Sequence, residues 1–268
     1  MSALEQKFQV ELDETAFSNA KTVADIQTLL KQPSAQRTQY SYPNWAQTLP
    51  IHAVRLAIYY LLVWPATVLL AHPKVIGREN LASSRGSILV VSNHVTRRSD
   101  IGLILKALPR RYRHHLATAM GGETLQHMRH PPRAWFFLKG WAYQLGYWLV
   151  TALFNVFPLP QRSGFRESFR FAGESADRGY SILVFPEGEV TSDGSLAPFH
   201  AGIGLLTENL GLPVVPMRMD GVWQMKREHR RLAHRGEITV RIGAPVRFPP
   251  GTDPEGIAKT LQNLVQSL

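Results

Sequence analysis

The 268-residue chain contains no cysteine. That excludes disulfides, thiolate metal sites, iron–sulfur clusters and a cysteine nucleophile. Acidic residues are few, 20 against 30 Lys plus Arg, and the formal charge is +10. Met1–Gln9 lacks an apolar run and carries Glu5 and Lys7, so no secretory signal is expected. Low-complexity tracts and internal repeats are also missing. What is present is 44% hydrophobic residues, enough for a sizeable core in one domain with an appendage.

The charge is uneven. Residues 1–40 hold four basic and five acidic side chains, which leaves +11 for the rest. Such a body favours anionic partners: lipid headgroups, an acidic protein or nucleic acid. The basic residues cluster at Arg110, Arg111 and Arg113, and at Lys226, Arg227, Arg230, Arg231 and Arg235. Anionic lipid rewards such patches; a merely solvated face is the plain alternative.

Residues 1–31 read as two short helices, with Thr22 as N-cap of the second. Phe8-Gln-Val-Glu-Leu12, an acidic connector and Thr22-Val-Ala-Asp-Ile-Gln-Thr-Leu-Leu30 resemble the last third of an acyl carrier protein. The resemblance would put the prosthetic-group serine ahead of Met1, so no carrier arm is expected on this segment. An ordinary helical hairpin is the other reading. Residues 32–50, with Pro33, Pro43 and Pro50, read as a linker.

Residues 56–71, LAIYYLLVWPATVLLA, carry no charge. As a helix they would reach about 24 Å, short of the roughly 30 Å hydrocarbon core. Pro65 is expected to bend or break it, and Tyr59, Tyr60, Trp64 and Arg55 suit an interface. Residues 51–72 are therefore read as a membrane-associated helix that does not span, with a buried core helix as the alternative. The aromatic stretch from Trp135 to Trp148 reads either as a lipid- or acyl-facing surface or as core.

Residues 73–268 alternate apolar runs with helical patterns. Strands are predicted at 87–92, 115–119, 156–159, 181–185, 214–219 and 237–242, and helices at 101–108, 165–178, 201–210 and 254–267. This is an α/β fold with a mixed, largely parallel sheet flanked by helices, preceded by apolar membrane-associated helices.

Two strand ends carry unusual residues. Asn93-His94 follows the first predicted strand, with Asp100 six residues after the histidine. A carboxylate can orient an imidazole as a general base, though such a pair alone is often coincidental. Phe185-Pro-Glu187-Gly188 ends a later strand and presents a carboxylate beside a glycine. Gly202 and Gly204 then open a helix whose amides could face an anion.

In this order, and preceded by Gly77-Arg-Glu-Asn-Leu81, the blocks resemble the glycerolipid acyltransferases that include bacterial 1-acylglycerol-3-phosphate acyltransferase. The resemblance covers about residues 75–242. It implies that His94 is the general base and Asp100 its orienter. It implies that Arg162, closing Phe157-Pro-Leu-Pro-Gln-Arg162, binds an acceptor phosphate, and that Glu187 and Gly188 position the acceptor. Asn93 is grouped with these substrate-binding residues, and so are Arg97 and Arg98, placed to meet a phosphate. The acyl donor would be an acyl-CoA or acyl-carrier-protein thioester, with no bound cofactor, metal or nucleic acid. The protein would sit on the cytoplasmic face of the cell membrane, peripheral or monotopic.

Two features depart from the family pattern. Five residues separate His94 from Asp100 where four are usual, and one extra residue turns a helix by about 100°. Glu189-Val-Thr191 stands where Thr-Arg-Ser is usual, which removes a phosphate-binding cation. A larger lysophospholipid headgroup or another lipid alcohol is thereby left open as acceptor. The altered spacing also keeps a catalytically impaired lipid-binding homologue as an alternative.

Overall fold

The computed structural model describes Thr22, Gln27 and residues 40–268 apart from 98, 132–136, 161–164 and 231. The carrier-like segment therefore lies outside the described residues except for Thr22 and Gln27.

A seven-stranded sheet forms the centre: β1 Lys74–Ile76, β2 Leu89–Ser92, β3 Leu116–Gly121, β4 Val156–Leu159, β5 Ser181–Val184, β6 Val214–Asp220 and β7 Thr239–Ile242. Their order is β1-β7-β6-β2-β5-β3-β4. Neighbours are parallel except β6 and β7. The inner strands β2 and β5 are buried at every position, as near-continuous apolar runs covered on both faces should be.

The helices are α1 Leu49–Ala71, α2 Asp100–Ala107, α3 Arg110–His114, α4 Gly122–Arg129, α5 Phe137–Phe154, α6 Phe165–Asp177, α7 Gly202–Leu210, α8 Val222–Arg227 and α9 Pro254–Ser267. One face of the sheet packs its core on α1, α2, α3 and α8, the other on α6, α7 and α9. Gly204 lets α7 meet α9 closely, because a Cβ there would fall 2.0 Å from the Pro254 carbonyl oxygen. That is a packing role, and the Gly204 N–H is itself bonded to Ala201 O at 2.9 Å.

The apolar segment differs from expectation. α1 runs unbroken for 23 residues, about 34 Å at 1.5 Å per residue, and begins two residues earlier than the sequence suggested. Pro65 does not break it, because the turn at Tyr59–Val63 is a π-helix and the Trp64 N–H reaches back five residues to the Tyr59 carbonyl. The wider turn accommodates a proline that can neither donate nor tolerate a close preceding carbonyl.

Only 11% of its most apolar 18-residue window is buried, so α1 is not a core helix. It nevertheless touches the body along one face. Arg55 bonds Ala152 O, Tyr59 enters the core, Val63 and Thr67 lie against Gly102, and Leu70 O accepts from Ala233 N. The opposite side exposes Leu49, Leu61, Leu62 and Leu69.

The preceding residues, read as linker, also pack. Ala46 is fully buried, Tyr42 OH bonds Ser168 Oγ at 2.9 Å, and Gln47 Nε2 donates to Ser175 Oγ at 2.9 Å. On α5 the aromatics divide. Tyr147 is buried, while Trp141, Tyr143 and Trp148 are exposed, and Trp148 meets Trp45, just ahead of α1, in a tilted pair with ring centroids 5.0 Å apart.

Candidate active site

Strand β2 lies between β5 and β6, where the chain's direction of travel across the sheet reverses. In open α/β sheets, ligands bind outside the carboxyl ends of strands at such a switch point. The two motif-bearing strands β2 and β5 are parallel neighbours, with Val91 opposite Val184. Their ends therefore bring together residues 93 positions apart.

His94 and Asp100 meet, with Nδ1 2.9 Å from Asp100 Oδ2. The extra residue in the turn is absorbed by Thr96. Its hydroxyl donates to Asp100 Oδ1 at 2.7 Å and accepts from the Ser99 hydroxyl at 2.5 Å and the Ser99 amide at 3.2 Å. Asp100 is 1% exposed, and its Oδ2 also accepts from the Val95 and Thr96 amides at 2.7 and 2.8 Å. With two backbone N–H groups already donating to it, that oxygen meets Nδ1 as an acceptor. It therefore holds the Nδ1 proton and leaves the Nε2 lone pair outward. The imidazole is stacked on Phe185 at 4.4 Å and keeps 20% side-chain exposure. Thr96, Ser99 and Phe185 had no assigned role from sequence; the Thr-x-x-Ser-Asp spacing was the available signal.

Glu187 is 5% exposed and joins the two blocks. Oε1 accepts the His94 amide at 2.7 Å and Oε2 the Ala197 amide at 2.8 Å. Burial pushes its carboxyl above the ordinary range, and the two backbone donors oppose that rise. Its role in the structure is thus to clamp the base-bearing turn, whereas the sequence suggested a carboxylate presented to the acceptor. Glu187→Gln turns an NH2 group toward one of two amide donors. It is expected to cost about 1–3 kcal/mol, seen as a lowered denaturation midpoint, with activity falling as well.

Asn93 is likewise committed inside the fold. Its Nδ2 donates to Met219 O at 3.0 Å and its Oδ1 accepts from Met219 N at 2.8 Å. It continues the β2–β6 ladder beyond Ser92 and Met217, so neither end of the amide is directed at a substrate. Gly188 is exposed in a turn at φ +73°, and its N–H bonds Phe185 O. Arg97 is exposed beside the His94 turn. Arg98 and Arg162 lie outside the described residues.

Val190, which stands where the resemblance would put an arginine, is half-buried, and Glu189 beside it is exposed. Thr191 is buried, with its N–H on His94 O at 2.9 Å and its hydroxyl on Asp193. Arg230 is paired with Glu228 and Glu237, which removes it from the free basic patch. Among the described residues, no group of three or more His, Asp or Glu is placed to hold a metal.

Residues 72–220, more than half of the chain and including the whole His94–Asp100–Glu187 constellation, match the family described as Acyltransferase. The chain belongs to this acyltransferase family. Over 74 residues it is 32% identical to the chloroplastic 1-acyl-sn-glycerol-3-phosphate acyltransferase BAT2 of Brassica napus, covering 27% of this chain and 22% of that one. The match thus spans about a fifth of that relative's length. Among solved structures, the 1-acyl-sn-glycerophosphate acyltransferase PlsC of Thermotoga maritima superposes with a TM-score of 0.47 at 21% identity, over 82% of this chain and 78% of that one.

Proposed function

We propose that this acyltransferase-family chain moves a fatty acyl group from an acyl thioester, acyl-CoA or acyl carrier protein, to a hydroxyl of a lysophospholipid-type acceptor such as 1-acylglycerol-3-phosphate. The observation that carries the reading is His94, with Nδ1 held by a buried, fully hydrogen-bonded Asp100 and Nε2 left available. Nε2 removes the acceptor hydroxyl proton as its oxygen attacks the thioester carbonyl. The new C–O bond forms, the C–S bond breaks, and the imidazolium returns its proton to the departing thiolate. Asp100 stabilises the imidazolium in between. No enzyme nucleophile enters these steps.

Placement at a membrane surface belongs to the same reading. Contacts along one face of α1 hold it lengthwise against the catalytic body. Its opposite face and the exposed aromatics of α5 then form one apolar surface. Lys106 over Trp64 supplies a cation beside it. This arrangement supports a helix lying in the interface rather than crossing it, facing the cytoplasm where both thioester donors are made.

The test is acyl transfer from labelled acyl-CoA and acyl carrier protein to a panel of lysophospholipids in anionic vesicles, read by lipid mass spectrometry. A new diacyl product with one donor class is expected. Absence of product with every donor and acceptor would overturn the reading.

A further inference from the structure

The two basic clusters of the sequence have different fates. In the first, Arg111 donates to Leu81 O, and Arg113 Nη2 donates to Leu108 O at 2.7 Å and Lys106 O at 3.3 Å. Those guanidinium groups are spent on main-chain carbonyls. The second cluster faces solvent. Lys226 and Arg227 close α8 and Arg235 stands in the loop leading to β7; all three are exposed, and none forms an ion pair among the described residues. Both carboxylates of this stretch are taken by Arg230, with Nε 2.7 Å from Glu228 Oε2 and Nη1 2.9 Å from Glu237 Oε2. The three exposed cations are thus left without a counter-charge of their own.

The same bonds give the loop a fixed shape. Arg230 Nη1 also reaches Leu232 O at 3.2 Å, and Glu237 Oε2 accepts the His234 amide at 2.7 Å. Between them Ala233 is buried, and its N–H donates to Leu70 O at 2.8 Å, at the C-terminal end of α1. Ala233 and Val222 of α8 share a core cluster with Tyr59 and Ala71 of α1, so the loop, α8 and α1 lie on one side of the sheet. Leu232, next to Ala233, is 55% exposed, as are Leu69 and Leu70 of α1 in large part. A lone exposed leucine is ordinary; this one continues the apolar side of α1 and is flanked by cations.

That combination selects the partner. At an anionic bilayer the cations meet headgroup charge while the leucine enters the boundary with the acyl chains. An acidic protein or nucleic acid would answer the charge but give Leu232 no apolar partner.

We propose that residues 226–235 form a second membrane contact, selective for anionic phospholipid, beside the C-terminal end of α1. The inference rests on the reading of α1 as an interfacial helix. A single helix lying in the interface leaves the body free to roll about the helix axis. A second contact off that axis stops the roll and fixes which way the His94 edge of the sheet faces.

The test is flotation of the full chain with phosphatidylcholine vesicles and with vesicles containing phosphatidylglycerol, at low and high salt. The wild type is expected on both and more on the anionic ones, with high salt removing the difference. Each cation near a charged surface is worth about fivefold in partitioning. The triple variant Lys226→Gln/Arg227→Gln/Arg235→Gln should therefore lose on the order of 100-fold on anionic vesicles and nothing on phosphatidylcholine. Leu232→Ala removes no charge and should weaken binding to both vesicles by about tenfold. Circular dichroism melts check folding, and Arg235→Gln alone, at about fivefold, is the comparison should the triple variant fail to fold. Undiminished anionic-vesicle binding by the charge variants or by Leu232→Ala would overturn the proposal and leave the placement of α1 standing. Absence of wild-type binding to either vesicle would remove both. Acyl carrier protein that binds the wild type but not the triple variant, with vesicle binding unchanged, would reassign the face to an acidic protein.

Discussion

Acyl transfer by His94→Ala is expected to fall by on the order of 10²–10⁴-fold, the usual contribution of a positioned general base. The variant keeps the backbone amide that Glu187 accepts, so the two motif blocks remain joined and circular dichroism should report a native-like melt. The rate is measured with a labelled acyl thioester and an acceptor in vesicles. An unchanged rate in a folded variant would remove His94 from the mechanism. A collapsed melt would show instead that the ring's stacking on Phe185 holds the turn together.

Asp100→Asn is expected to lower the rate on the order of 10²–10³-fold, the range for losing one preorganised electrostatic partner. The amides of Val95 and Thr96 both require an oxygen at the Oδ2 position. The new amide therefore turns its NH2 toward Thr96 Oγ1, where the hydroxyl must reverse and accept. In that arrangement the Nδ1–H bond survives, so the imidazole keeps its tautomer but loses the negative charge that stabilises its protonated form. Because Asp100 acts through His94, the double variant His94→Ala/Asp100→Asn should be no slower than His94→Ala alone. Multiplying penalties would mean that Asp100 has a second partner in the reaction. Steady-state rates of the four proteins in one cycle decide this.

The parts of the fold legible in the sequence were those whose signal is local. Strands β4 and β5 and helices α6 and α9 stand within a residue of their expected positions, because apolar runs bounded by turn residues and a strong helical period need no tertiary information. β1 was missed because it has three residues and an exposed–intermediate–exposed pattern, stabilised by pairing with β7 across more than 160 positions. α4 was missed because it opens on Gly122 and places only Gly122 and Leu125 in the interior.

The site divides in the same way. His94 and Asp100 could be paired from six residues of sequence. The clamping role of Glu187 and the ladder role of Asn93 could not, since each partner is brought within reach by strand adjacency alone. Pro65 misled for a related reason. A proline rule applied to one α-turn does not foresee that the preceding turn widens to receive it.

The clamp at Glu187 has a consequence for the barrier itself. It grips the main chain of His94 from one side while Asp100 grips the ring from the other. The imidazole is thereby fixed at both ends before any substrate arrives. Little rotational freedom is left to lose on forming the encounter geometry, and few dipoles need to swing as charge develops on the ring. On the proposed mechanism, preorganisation of the site would rest partly on a glutamate that need never touch the reacting atoms.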